Sequence, residues 1–153
     1  MNDYHYVLKP SNVLIDEDGN PSIVDYFNHN YAVSFTNQIT SNSDAKIYLP
    51  LEIIEKNVRI DTSYILKAID SYSFAIILYE ILFNKPVFPK NISSEVLIEQ
   101  LTTYRPDIPD TVHPVVKQII ERCWSNSSDR RLSFYEIFLK LQQIDFKITP
   151  NVE

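Results

Sequence analysis

At 153 residues, with 44% hydrophobic and 12% aromatic side chains, the chain has the size and apolar content of one folded domain and not of a disordered tail. Its formal charge is -6, with both signs mixed along the chain, which excludes the basic stripe that nucleic acid or an anionic membrane demands. Cys123 is the single cysteine, so an internal disulfide and a cysteine-built metal site are excluded and a reducing compartment is expected.

The opening residues, MNDYHYVLKP, lack the basic start and apolar stretch of a secretory signal. The longest apolar run, FAIILYEILF at 74–83, is too short to span a bilayer and carries Glu80. A soluble, cytoplasmic protein is therefore expected, and the sequons at Asn91 and Asn126 read as chance matches. Gly19 is the only glycine, where average composition gives roughly ten. Left-handed backbone is accordingly expected to be rare, or taken by asparagine.

Residues 12–26, NVLIDEDGNPSIVDY, place two apolar stretches around Asp-Gly-Asn-Pro and predict a β-hairpin with Gly19 at positive φ. From 27 to 47 the chain is polar, rich in Asn, Ser and Thr, and without period, which predicts a long loop. After Pro50 it turns helical. DSYSFAIILYEILF is apolar on nearly all faces behind Asp70 and Ser71 as N-caps, the pattern of a helix buried on most sides. Further helices are predicted at 93–103 with Ser93 and Ser94 capping, at 113–124, and at 133–144, where Ser133 and Glu136 have capping-box spacing.

A hairpin brings its ends together. Asn12 before the first strand and Asp25 after the second are thus expected side by side, an amide oxygen and a carboxylate of the kind that coordinate Mg²⁺. Lys9 is then placed to reach a phosphate. The plainer alternative is that Asn12 and Asp25 are polar hairpin ends held by local backbone bonds and that Lys9 is a solvated surface residue.

These stretches resemble the protein kinases, whose catalytic loop reads His-Arg-Asp-Leu-Lys-Pro-x-Asn and whose metal-binding triplet is Asp-Phe-Gly. The matching runs are His5-Tyr6-Val7-Leu8-Lys9-Pro10-Ser11-Asn12 and Asp25-Tyr26-Phe27, in the Lys-Pro-x-Asn form of the serine/threonine or tyrosine-kinase-like branch. YLPLE at 48–52 is similar to the close of an activation segment, with Tyr48 and Glu52 kept. DSYSFAIILYEILFNKPVF at 70–88 is similar to the family's central helix, with Ala75 for its glycine. RCWSNSSDRRLSF at 122–134 resembles the signature of the last helices.

The resemblance implies a mainly α fold, the C-terminal lobe of a kinase as a helical bundle with one short β-hairpin near the N-terminus. It divides the chain into a truncated kinase-like domain at 1–146 and a tail at 147–153. Within the domain, 1–26 would be catalytic loop and hairpin, 25–52 activation segment and 53–146 helical subdomain. The small lobe, with its glycine-rich loop and strand lysine, has no counterpart, so a truncated gene product or a degenerate relative is expected.

It also implies roles. Lys9, Asn12 and Asp25 would hold ATP, and Asn12 and Asp25 its Mg²⁺, with weak or no binding expected. His5 would be the structural histidine, with a substitute-base role as the sharper alternative, and Asp70 would receive backbone amides from the loop. Glu52 and Arg131 would form the family's buried ion pair. Tyr6 replaces the arginine that binds a phosphorylated activation loop, and Phe27 replaces a mobile glycine. Val7 stands where the family has its general base, and a lost base costs roughly 10²- to 10⁴-fold in rate. The chain is therefore expected to be a catalytically impaired pseudokinase or fragment in intracellular signalling, acting through protein partners and not through nucleic acid or membrane. The alternative is an active serine/threonine protein kinase transferring phosphate from ATP to protein.

Overall fold

The structure, a computed structural model, describes residues 5, 8–24, 43–55 and 63–145, with backbone alone for 43, 44 and 63–66. Strands β1 (Val13–Ile15) and β2 (Pro21–Ile23) pair antiparallel, Val13 facing Ile23 and Ile15 facing Pro21. Their turn is built by Asp16, whose Oδ1 accepts from the amides of Asp18 at 3.0 Å and Asn20 at 2.7 Å. Gly19 supplies the positive φ of 83° that closes it. The other positive φ among the described residues is at Asn84, 49°, the substitution expected of a glycine-poor chain.

Helical turns α1 (Ser43–Lys46) and α2 (Leu51–Ile54) flank Pro50. The loop expected over 27–47 thus ends early: Ala45, Lys46 and Ile47 are buried, and α1 forms because this short stretch packs on the core. Residues 27–42 lie outside the described residues.

The long helix α3 (Ser63–Phe83) begins well before Asp70 and Ser71, which correct their reading as N-caps: both sit in its interior. Tertiary partners explain the miss. The Asp70 carboxylate accepts the amide of His5 at 2.8 Å. Ser71 Oγ turns back to the Lys67 carbonyl at 3.0 Å, the mid-helix habit of serine. Fully buried Tyr72, Ala75, Ile76 and Tyr79 make α3 the centre of the core.

Three shorter helices pack around it. In α4 (Ser94–Thr103), Ser93 caps by accepting from the Val96 amide. Its Leu97 and Leu101 reach the core, as do Ile119, Ile120 and Cys123 of α5 (Pro114–Cys123), the main partner of α3. Ser133 and Glu136 form the capping box of α6 (Phe134–Leu141), which stops three residues short of 144 where a turn takes over. Trp124 and Cys123 are core residues, and burial pushes the Cys123 thiol up to about 11, so it is unreactive. Among the described residues no helix is long and apolar enough to cross a membrane.

Candidate functional site

Pro10–Asn12 is a single 3-10 turn, started by a proline whose fixed φ suits a first helical position. Lys9, ahead of it, is extended and half-buried. The Asn12 amide donates to the Lys9 carbonyl, and the Asn12 carbonyl accepts the amide of Val24, both at 2.9 Å. The hairpin therefore closes with the residue before Asp25 bonded to Asn12. Asp25 itself lies outside the described residues, as do Tyr6, Val7 and Phe27. Asn12 is buried, and it is one oxygen donor where Mg²⁺ asks for near-octahedral coordination, so the described residues do not make a cation site.

His5 fastens this loop to the helices. Its amide reaches Asp70 on α3, and its Nε2 stands 2.5 Å from the Val24 carbonyl, to which it donates. A nitrogen committed to a carbonyl gives no support to a substitute base. The structure brings together His5, Asp70 and the end of β2.

It also brings Glu52 and Arg131 together. Arg131 follows the 3-10 turn Ser128–Arg130, and Glu52 lies in α2. The guanidinium donates from Nη1 to Oε1 at 2.6 Å and from Nη2 to Oε2 at 3.0 Å, a two-pronged pair. Nη1 also reaches the Ala68 carbonyl at 3.1 Å, and Nε reaches that of Ser125 at 2.8 Å. The arginine side chain is wholly buried, with the Tyr72 ring beside its guanidinium at 5.2 Å. Burial pushes the Tyr72 phenol up to about 12, against a downward pull from Arg105 and Arg131.

Sequence reasoning missed a second junction. The Tyr48 hydroxyl donates to Glu80 Oε2 at 2.9 Å, and Glu80 Oε1 accepts the Val87 amide at 3.2 Å. Two turns earlier on the same face of α3, Ser73 Oγ donates to the Tyr48 carbonyl at 2.8 Å. The available signal was the lone charge in FAIILYEILF, which half-buried surroundings make costly unless it is bonded. Arg105 was missed as well; it donates to the carbonyls of Leu101 and Trp124 and to Asn126, between the Tyr72 and Trp124 rings.

The sequence profile of the protein kinase domain matches residues 2–141. The chain belongs to the protein kinase family. A probable serine/threonine-protein kinase of Dictyostelium discoideum is 30% identical over 146 residues, covering 94% of this kinase chain and 10% of the relative. A probable inactive serine/threonine-protein kinase of the same organism is 34% identical over 142 residues, covering 91% and 7%. Integrin-linked protein kinase 1 of Arabidopsis thaliana is 30% identical over 145 residues, covering 92% and 30%. The kinase chain thus spans less than a third of the length of each of these relatives.

Proposed function

We propose that this kinase chain forms the C-terminal lobe of the fold as a catalytically impaired, pseudokinase-like domain that works through protein contacts inside the cell. The observation that carries the reading is Val7, which stands in His5-Tyr6-Val7-Leu8-Lys9 where the family has its proton-accepting aspartate. Valine has no group that hydrogen-bonds or accepts a proton. Around that loss the anchoring contacts persist: His5 on Asp70, and Arg131 on Glu52. The similarity to a relative named as inactive supports the reading further.

A second reading is an active serine/threonine kinase that transfers phosphate from ATP to protein. It draws on the retained Lys9, Asn12 and Asp25 and on the names of the other relatives. Asn12 and Asp25 would then hold Mg²⁺, and Lys9 would reach a phosphate.

Thermal melts with and without ATP and Mg²⁺, run beside phosphate transfer from labelled ATP, separate the two. The proposal expects an unshifted melt and no transfer above that of Asn12→Ala. A melt raised by ATP and Mg²⁺ together, with transfer that Asn12→Ala abolishes, would establish the second reading.

A further inference from the structure

Two arginines meet beside one ring: the Arg131 guanidinium lies 5.2 Å from the centre of Tyr72 and that of Arg105 5.8 Å. Each also grips the corner that follows α5. Arg131 Nε reaches the Ser125 carbonyl, while Arg105 reaches the Trp124 carbonyl through Nε and Nη2 and the Asn126 side chain at 2.7 Å. The other Arg105 donors go to the carbonyls of Leu101 and Tyr104 at the end of α4. All five of its N–H groups are thus used in joining the ends of α4 and α5, where a cation also meets the negative poles of both helices.

Helix packing divides around these two residues. Among the described elements, α3 packs closely on α5 and on the 3-10 turn Ser128–Arg130, and α5 packs on α6, whereas α4 packs most closely on α2. Chain order hides that pair, because α3 runs between its members. Arg131 of the larger group holds Glu52 of α2, and Arg105 holds the end of α4 to the same group. The ties close into a ring that runs from α2 to Arg131, to the 124–126 corner, to Arg105, to α4 and back to α2. Ahead of α2 the chain is pinned to α3 at Tyr48, whose carbonyl accepts from Ser73 and whose hydroxyl donates to Glu80.

We infer that α2 and α4 are one conformational unit, which opens and closes as a whole on the α3–α5 body, with the 124–126 corner as its latch and Pro50 as its hinge. Opening α4 alone would strip α2 of its closest helix partner and leave a four-residue helix, too short to hold itself, on one ion pair. Opening α2 alone would leave Arg131 buried without its carboxylate, a burden that lifts only when the corner gives way and admits water. Contact made at α4 is thereby felt at Glu52, and the reverse. Such a unit is independent of whether the chain transfers phosphate.

Native-state hydrogen exchange of the full chain, followed by NMR in low and rising denaturant, tests this. The probes are the amides of Ile53, Ile54 and Glu55 at α2 and of Leu97 and Tyr104 at α4. Both sets are expected to follow one denaturant slope to one opening free energy, below that of the α3 interior. Asn126→Ala, at an exposed position, removes an acceptor from Arg105 and should speed exchange in α2 and α4 by the same factor, about tenfold. Glu52→Gln should likewise speed α4, although its own partner is Arg131. The hairpin amides of Asp16 and Val24 are the control and should keep the parent rate. Asn126→Ala leaves the ion pair intact, so the test stands even where Glu52→Gln does not fold. Faster exchange in α4 alone after Asn126→Ala, or in α2 alone after Glu52→Gln, would mean two independent openings and overturn the unit. So would α2 and α4 amides as protected as those of α3, since no opening short of global unfolding then exists.

Discussion

Arg131 meets Glu52 across 79 positions of sequence, through two parallel hydrogen bonds, with no part of the arginine side chain left to solvent. Two further bonds to the carbonyls of Ala68 and Ser125 bring four of its five N–H donors into use, which is how a buried guanidinium recovers its desolvation cost. Arg131→Ala leaves Glu52 without its partner and should cost about 3–5 kcal/mol. For a domain of this size that lowers the melting temperature by on the order of 10 °C. Arg130→Ala, at an exposed neighbour, should move it by no more than about 1–2 °C. Equal shifts in a calorimetric scan of the two variants would show that the pair is not what holds α2 to the helices.

Glu80 serves two donors from different parts of the chain, the Tyr48 hydroxyl and the Val87 amide. Glu80→Ala strands both and should destabilise by about 1–3 kcal/mol. Tyr48→Phe removes the hydroxyl alone and should cost less than Glu80→Ala, and in the double variant the two losses should fall short of their sum. Denaturant melts of the three variants check this, and strict additivity would mean that the hydroxyl and carboxylate do not communicate.

Tyr72 is sealed in the core, and its hydroxyl makes no hydrogen bond among the described residues. Because burial raises its folded-state value from 10.0 to about 12, the neutral phenol favours the native state at and below the unfolded value, and that advantage is lost as pH rises from 10 to 12. A shift of that size corresponds to about 3 kcal/mol. Tyr72→Phe should thus be at least as stable as the parent near neutral pH, and the gap should widen in alkali. Coincident melting curves at both pH values would show that the phenol does not sense its burial.

The capping box gives the opposite slope. Hydrogen bonds from the Ser133 backbone, and then its side chain, hold the Glu136 carboxyl below the usual carboxylate range. A depressed folded-state value means that its stabilisation is complete above the ordinary carboxylate range and fades as pH falls through the lowered value. Glu136→Gln should therefore narrow the acid-induced drop in melting temperature, and parallel pH profiles would contradict the assignment. Ser133→Ala, which removes the cap itself, should cost about 1 kcal/mol at neutral pH.

Local signals in the sequence reported local structure well. The hairpin around Gly19 and the caps at Ser93 and Ser133 depend on near neighbours and stand as read, while Ser94, read as a second cap, is the first residue of α4. Asp70 and Ser71 misled as caps for the same reason: their short polar side chains suit a helix start, and only the family resemblance pointed Asp70 to a loop amide, which it meets 65 positions away in His5. Glu80 was visible as an odd charge, but nothing nearby in the sequence points to Tyr48. Of the candidate site, the described residues include only the Lys9–Asn12 side, one proline-led turn whose closure depends on where β2 ends, a long-range pairing that no local signal carries.

His5 and Arg131 come from opposite ends of the described chain and close on Asp70 and Ala68, one stretch of α3. During synthesis, α3 thus emerges after His5 but long before Arg131. A ribosome that has just released Phe83 holds out a 21-residue helix, apolar all round, whose covering helices α4 to α6 have not yet been made. Domains settle as units and exposed apolar surface on a growing chain attracts aggregation, so the interval before α6 arrives is the one in which this chain is most open to misassembly.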